Sequence, residues 1–139
     1  MKQLCYVSYL NDGLDVKEVV DSIKKVSEVK NVKYGLTGKL VYSNEIFIQL
    51  LEGDQVNIDI LYTIIKADKR HSGTQILFKQ EAEERTFPEW SMKFDYTDKI
   101  DLVSINKLLK AANDARKKEI LTKSDIIEFF SNFSTSNAE

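Results

Sequence analysis

The sequence predicts an α+β fold: a five-stranded mixed sheet with two helices on one face and C-terminal helices covering the other. Three observations carry that expectation. Strand-like and helix-like segments follow one another as β-α-β-β-α-β-β up to Phe94, the ferredoxin-like order with one strand added. The arm Ile46 to Leu51 is apolar at nearly every position, as a strand buried on both faces in mid-sheet must be. Two amphipathic stretches follow the last strand, and a sheet with helices on a single face needs such a cover.

Gln3 to Tyr9 reads as the first strand, with Leu4, Tyr6 and Ser8 on one face and Cys5, Val7 and Tyr9 on the other. Asn11-Asp12-Gly13 is a turn. Asp15 with Glu18 forms a capping box and opens a helix carrying Val16, Val19, Val20, Ile23 and Val26 at helical spacing. That helix is expected to end between Glu28 and Asn31. The stretch Gly35 to Gly53 is a β-hairpin, with arms Lys39 to Tyr42 and Ile46 to Leu51 joined by Ser43-Asn44-Glu45. Asp54 is the N-cap of a second helix over 55–69, whose apolar side is Val56, Ile60, Leu61, Ile64 and Ile65. His71-Ser72-Gly73 breaks it, and Thr74 to Ala82 is a strand. The loop Arg85 to Glu89 holds the only proline. Trp90 to Phe94 alternates as a final strand, with Trp90, Met92 and Phe94 on one side. Ile100 to Ala115 and Thr122 to Phe133 read as helices, and Ser134 to Glu139 as a frayed polar tail.

At 139 residues one core suffices. Twenty Lys and Arg against 22 Asp and Glu give a net charge of −2, which offers no electrostatic reason for nucleic acid or an anionic membrane as partner. A single cysteine, Cys5, excludes an internal disulfide and suits a reducing, cytoplasmic setting. One histidine, His71, leaves no basis for a multi-histidine zinc site or a Ser-His-Asp triad. No apolar leader follows Met1, and no apolar run approaches 18 residues.

One residue breaks the apolar run of the second hairpin arm: Gln49. A buried carboxamide without a partner costs about 1–3 kcal/mol, so Gln49 must bond to a side chain, a water or a ligand. Tyr6 lies in the neighbouring central strand and shares its face. Tyr6, Gln49 and Asn31 together offer groups suited to a planar heterocycle rich in carbonyls and ring nitrogens. A mutually satisfied Tyr6–Gln49 pair in a plain core is the alternative reading, because this fold serves many roles.

Several motifs in order narrow the choice: Tyr6-Val7-Ser8, Asn31 ahead of Gly35-Leu36-Thr37-Gly38, Phe47 to Gly53, Asp68 to Ser72, and Phe87 to Met92. In these the chain resembles the BLUF family of blue-light sensors using FAD, from about Leu4 to Phe94. The resemblance implies a flavin-binding domain over 1–97, a helical cap over 98–133 packed on the sheet, and a disordered tail over 134–139. It implies Tyr6 as electron and proton donor, and Gln49 as the glutamine between that tyrosine and flavin N5 and C4=O. Ser8, Trp90 and Met92 match supporting positions, while Asn31, Asp68, Arg70 and His71 match flavin contacts. Lys30 stands where the family often has a second asparagine. The cofactor implied is FAD, with FMN or riboflavin as tolerated substitutes. The implied output is a signal to a downstream partner through the last strand and C-terminal helices, in a homo-oligomer without enzymatic activity. The competing function is a non-photoactive ferredoxin-like interaction module.

Overall fold

The computed structural model describes residues 1–43, 45–89, 92–96, 110, 113 and 121–131. Strands β1 (Lys2–Leu10), β2 (Thr37–Ser43), β3 (Ile46–Gly53) and β4 (His71–Glu81) make an antiparallel sheet in the order β4-β1-β3-β2, and the short β5 (Lys93–Tyr96) adds to β2 in parallel. Helices α1 (Val16–Tyr34) and α2 (Gln55–Ala67) connect the strands, and α3 (Lys123–Ser131) follows later in the chain.

Period-2 alternation divides the core into two layers. On one face Leu4, Tyr6, Leu40, Phe47 and Leu51 pack with Val19 and Val20 of α1 and Ile58, Leu61 and Tyr62 of α2. On the other, Cys5, Val7, Val41, Ile48 and Leu50 pack with Ile126 and Phe130 of α3. β3 is buried along its whole length, which explains its nearly unbroken apolar sequence. Burying Phe130 contributes about 1.5–3 kcal/mol to holding α3.

Asp15 caps α1 as its sequence suggests, its Oδ1 accepting from Glu18 N at 3.1 Å. Other details differ from the sequence reading. Helix α1 runs on to Tyr34 and stops at Gly35, whose left-handed φ of 66° a residue with a Cβ adopts poorly. Asn31 is therefore a buried helical residue, and its carbonyl accepts from Leu36 N at 2.8 Å. Asp54 is the N-cap position of α2 but makes no side-chain capping bond. The buried side of α2 is Ile58, Leu61 and Tyr62, while Val56, Ile60 and Ile64 are exposed. His71 to Gly73 is the start of β4, because pairing with Tyr9 and Leu10 of β1 supplies backbone partners that local propensity does not. Met92 precedes β5, which starts at Lys93. Of the helix expected over 100–115 only Lys110 and Asn113 are described, both helical, and the position of Trp90 lies outside the described residues.

Gly38 is set by a close approach. A Cβ built there meets the Leu50 carbonyl oxygen at 1.9 Å, so only glycine lets β2 lie on β3. Gly38→Ala is expected to lower unfolding free energy by about 1–3 kcal/mol or more, read as a fall in the urea midpoint at unchanged m-value.

Candidate functional site

Tyr6 and Gln49 are direct cross-strand partners on β1 and β3. Both are buried, and the Tyr6 hydroxyl donates to Gln49 Oε1. Gln49 Nε2 in turn approaches Met92 Sδ at 3.6 Å, a weak acceptor for a strong donor. The Tyr6 ring meets Tyr62 of α2 at a centroid distance of 5.5 Å, tilted by 52°. Burial pushes the Tyr6 phenol well above its ordinary value, and neighbouring Tyr62, Cys5 and Asp68 add to the shift. The phenol is therefore protonated at any physiological pH.

Ser8 sits one strand step further on the same face, fully buried, with Oγ 2.7 Å from His71 Nδ1. His71 Nε2 lies 2.6 Å from the Ile65 carbonyl. A carbonyl only accepts, so Nε2 carries a proton, and in the neutral ring Nδ1 accepts the Ser8 hydroxyl. This ties β1, β4 and the end of α2 together.

Asp68 and Arg70 form a chelate at the rim. Arg70 Nε reaches both carboxylate oxygens, at 2.9 and 3.0 Å, Nη2 bonds the same carboxylate, and Nη1 donates to Ser22 of α1 at 2.6 Å. Burial pushes the Asp68 carboxyl up, but the Arg70 hydrogen bonds and charge, with His71 nearby, outweigh it and hold the group below its ordinary 3.8. A depressed folded value stabilises above 3.8, and that stability is lost as pH falls through the folded value. Asp68→Asn should therefore flatten the acid limb of a urea stability profile below about pH 4. An unchanged limb would assign acid sensitivity elsewhere.

These residues surround one cleft between α1 and α2. Tyr6, Ser8, Gln49 and His71 line it, with Ile23 and Val26 of α1 and Ile64 and Ile65 of α2 as apolar walls and Lys30, Asp68 and Arg70 as polar groups. Asn31 is not in that lining, and Trp90 lies outside the described residues. Sequence reasoning did not place Ser27 or Lys30 in a cleft; their spacing of four from Ile23 and Val26 on α1 is the signal that carries them.

The cleft fits a flat heterocycle in chemistry. It has two apolar helical walls, a carboxamide able to donate and accept on its floor, and two cations nearby for a phosphate-bearing tail. Its volume is about 60 Å³, below the roughly 300 Å³ of small ligand pockets. Seating a tricyclic ring therefore requires the α1 and α2 side chains to draw apart.

With this architecture and site, the chain belongs to the family of sensors of blue light using FAD, BLUF, whose model matches residues 1–93. It is a flavin-binding blue-light sensor domain. Over 96 residues it is 31% identical to the photoactivated adenylate cyclase subunit alpha-like protein FB of Euglena gracilis, covering 69% of this chain and 8% of that protein. The chain thus spans a small fraction of such relatives. Among solved structures, BlrB, a BLUF protein in its dark state, is 27% identical with a TM-score of 0.69, over 97% of this chain and 96% of that one. Photo-activated BlsA is 25% identical with a TM-score of 0.72, over 95% and 93% of the two chains. Among the described residues, no helix is long and apolar enough to cross a membrane, and no cluster of potential metal ligands occurs.

Proposed function

We propose that Tyr6 and Gln49 are the photoactive pair of this domain and that their hydrogen bonds are the switch. The carrying observation is the Tyr6 hydroxyl bonded to Gln49 Oε1 in a buried site, with Gln49 Nε2 held, among the described residues, by a thioether. Bound FAD supplies blue-light absorption and, when excited, an oxidant. Tyr6 is the electron donor. Oxidation makes a phenol strongly acidic, and burial opposes a bare charge, so its proton leaves along the bond to Gln49 Oε1. Gln49 would take that proton at Oε1 and yield one from Nε2 to the cofactor that took the electron, which keeps charge balanced and reverses which end of the carboxamide donates. Proton and electron return to Tyr6, while Gln49 keeps its new orientation or tautomer. The cost of moving it is small, because the Met92 contact is weak.

His71 and Ser8 position the floor of the cleft, and Asp68, Arg70 and Asn31 complete the flavin set, the last on the resemblance of its motif. The Tyr6, Gln49 and Asn31 contacts concern the ring system that FMN and riboflavin share with FAD. Residues 1–97 form the sensor, and 98–133 a helical cap. Gln49 changes its demand on Met92, Met92 precedes β5, and Trp90 to β5 passes the change to the cap and to a downstream partner or a second copy. Relatives named as photoactivated or light-regulated cyclases support an effector output. No substrate turns over in this scheme.

Purified protein supplied with FAD is expected to be yellow and to show a reversible red shift of its visible band after blue light. A bound but light-insensitive flavin would favour the interaction-module reading.

A further inference from the structure

Glu52 lies at the end of β3, fully buried, on the face opposite Gln49. A carboxylate only accepts. Glu52 takes hydrogen bonds from Thr86 N at 2.6 Å, Phe87 N at 2.8 Å and Gln3 Nε2 at 2.7 Å. That fixes Gln3: its NH2 faces Glu52 and Thr86 Oγ1 (3.2 Å), so its Oε1 faces β4. There Gln80 Nε2 donates to Gln3 Oε1 at 2.8 Å. The NH2 of Gln80 also donates to the Leu121 carbonyl at 2.9 Å, and Gln80 Oε1 accepts from Leu121 N at 2.8 Å. Leu121 leads into the capping box of α3, where Asp125 N donates to Thr122 Oγ1 at 3.1 Å and Thr122 N to Asp125 Oδ2 at 2.9 Å.

Each carboxamide in this series has one orientation that satisfies it, and the acceptor-only carboxylate dictates that orientation from one end. Gln3 is the direct cross-strand partner of both Glu52 and Gln80, so the series crosses three strands by neighbouring side chains. Gln80 grips the backbone of Leu121 on both sides of its Cα, donating to its carbonyl and accepting from its N–H, as a strand neighbour would. A nine-residue helix is marginal on its own, and the Lys123–Glu84 ion pair, 3.4 Å apart at the surface, adds little.

We propose that Glu52, Gln3 and Gln80 form a directional relay of positioning residues that sets how firmly α3 is seated on the sheet, and that the end of β3 controls that seating without touching α3. This inference does not depend on the photochemical reading, and its test needs neither light nor flavin chemistry. Backbone amide exchange in α3 is measured on the full chain kept dark, for wild type, Glu52→Gln, Gln80→Leu and the double variant. A glutamine at position 52 must set its NH2 against Phe87 N–H, or against both Thr86 N–H and Gln3 Nε2, and either clash loosens the carboxylate end of the relay.

Each single change is expected to speed α3 exchange about tenfold, the scale of one or two lost buried hydrogen bonds, with the β1 and β3 amides unchanged. The double variant should exchange no faster than Gln80→Leu. Effects that multiply to about a hundredfold, as independent sites do, overturn the relay, as does wild-type α3 exchange in Glu52→Gln. If Glu52→Gln loosens the whole sheet, Gln3→Leu replaces it. Gln3 hydrogen-bonds no residue of 121–131, so α3 exchange faster by about tenfold supports the relay, and an unchanged rate overturns it.

Discussion

Tyr6→Phe should bind flavin and show no light-induced red shift. The substitution keeps the ring that fills the core between Gln49 and Tyr62 and removes only the hydroxyl that donates to Gln49 Oε1. The walls of the cleft are unaffected, so flavin retention follows from geometry. The photochemical step loses both its proton and its proton path. Removing the donor also leaves the buried Gln49 oxygen without it, which costs about 1–3 kcal/mol of stability. The two effects are separable: visible difference spectroscopy reads the first and urea unfolding the second. A variant that kept the red shift would remove Tyr6 from its proposed role, whatever its stability.

Glu52→Leu is expected to be the most destabilising single change among the buried polar residues. Three close donors converge on this carboxylate, two of them backbone amides of the loop that leads toward Met92, and Thr37 Oγ1 adds a long bond at 3.5 Å. Leucine leaves all three facing a hydrocarbon, at about 1–3 kcal/mol each where water cannot reach. A total above about 3 kcal/mol falls in the range single substitutions seldom reach. Arg85 fastens the same loop from outside, donating to the Glu52 carbonyl at 3.0 Å and the Gly35 carbonyl at 2.9 Å, and it does not replace the lost acceptor. Chemical denaturation of Glu52→Leu checks this, and a loss under about 1 kcal/mol would mean that water already satisfies the loop amides.

The Tyr6–Gln49 pairing was legible in the sequence because strand alternation is a strict rule. A glutamine inside a doubly apolar strand must find a partner, and the register puts Tyr6 directly opposite. The Asp15 N-cap was legible for a similar reason, since its acceptor and the Glu18 N–H lie within one turn. What escaped depends on partners distant in sequence. His71-Ser72-Gly73 has the composition of a breaker, yet β1 lies alongside and makes it a strand. The apolar positions of α2 give two overlapping stripes, and only the sheet decides that Ile58 faces inward and Ile60 outward. Glu52 resembles an ordinary surface glutamate before Gly53. Its role comes from a loop more than thirty residues away that returns two amide protons to it. Gln3 and Gln80 were unreadable on the same ground, being polar residues near strand ends that are satisfied by each other and by Leu121.

Family membership fixes the class of signal this chain receives; the account of how it is registered turns on the Gln49 carboxamide. Gln49→Leu keeps the size and burial of the side chain and removes both of its hydrogen-bonding ends. The light-minus-dark visible spectrum of that variant, loaded with FAD, is the most direct measurement. A bound flavin whose spectrum is the same before and after blue light is the predicted result, and a reversible red shift of wild-type size would contradict it.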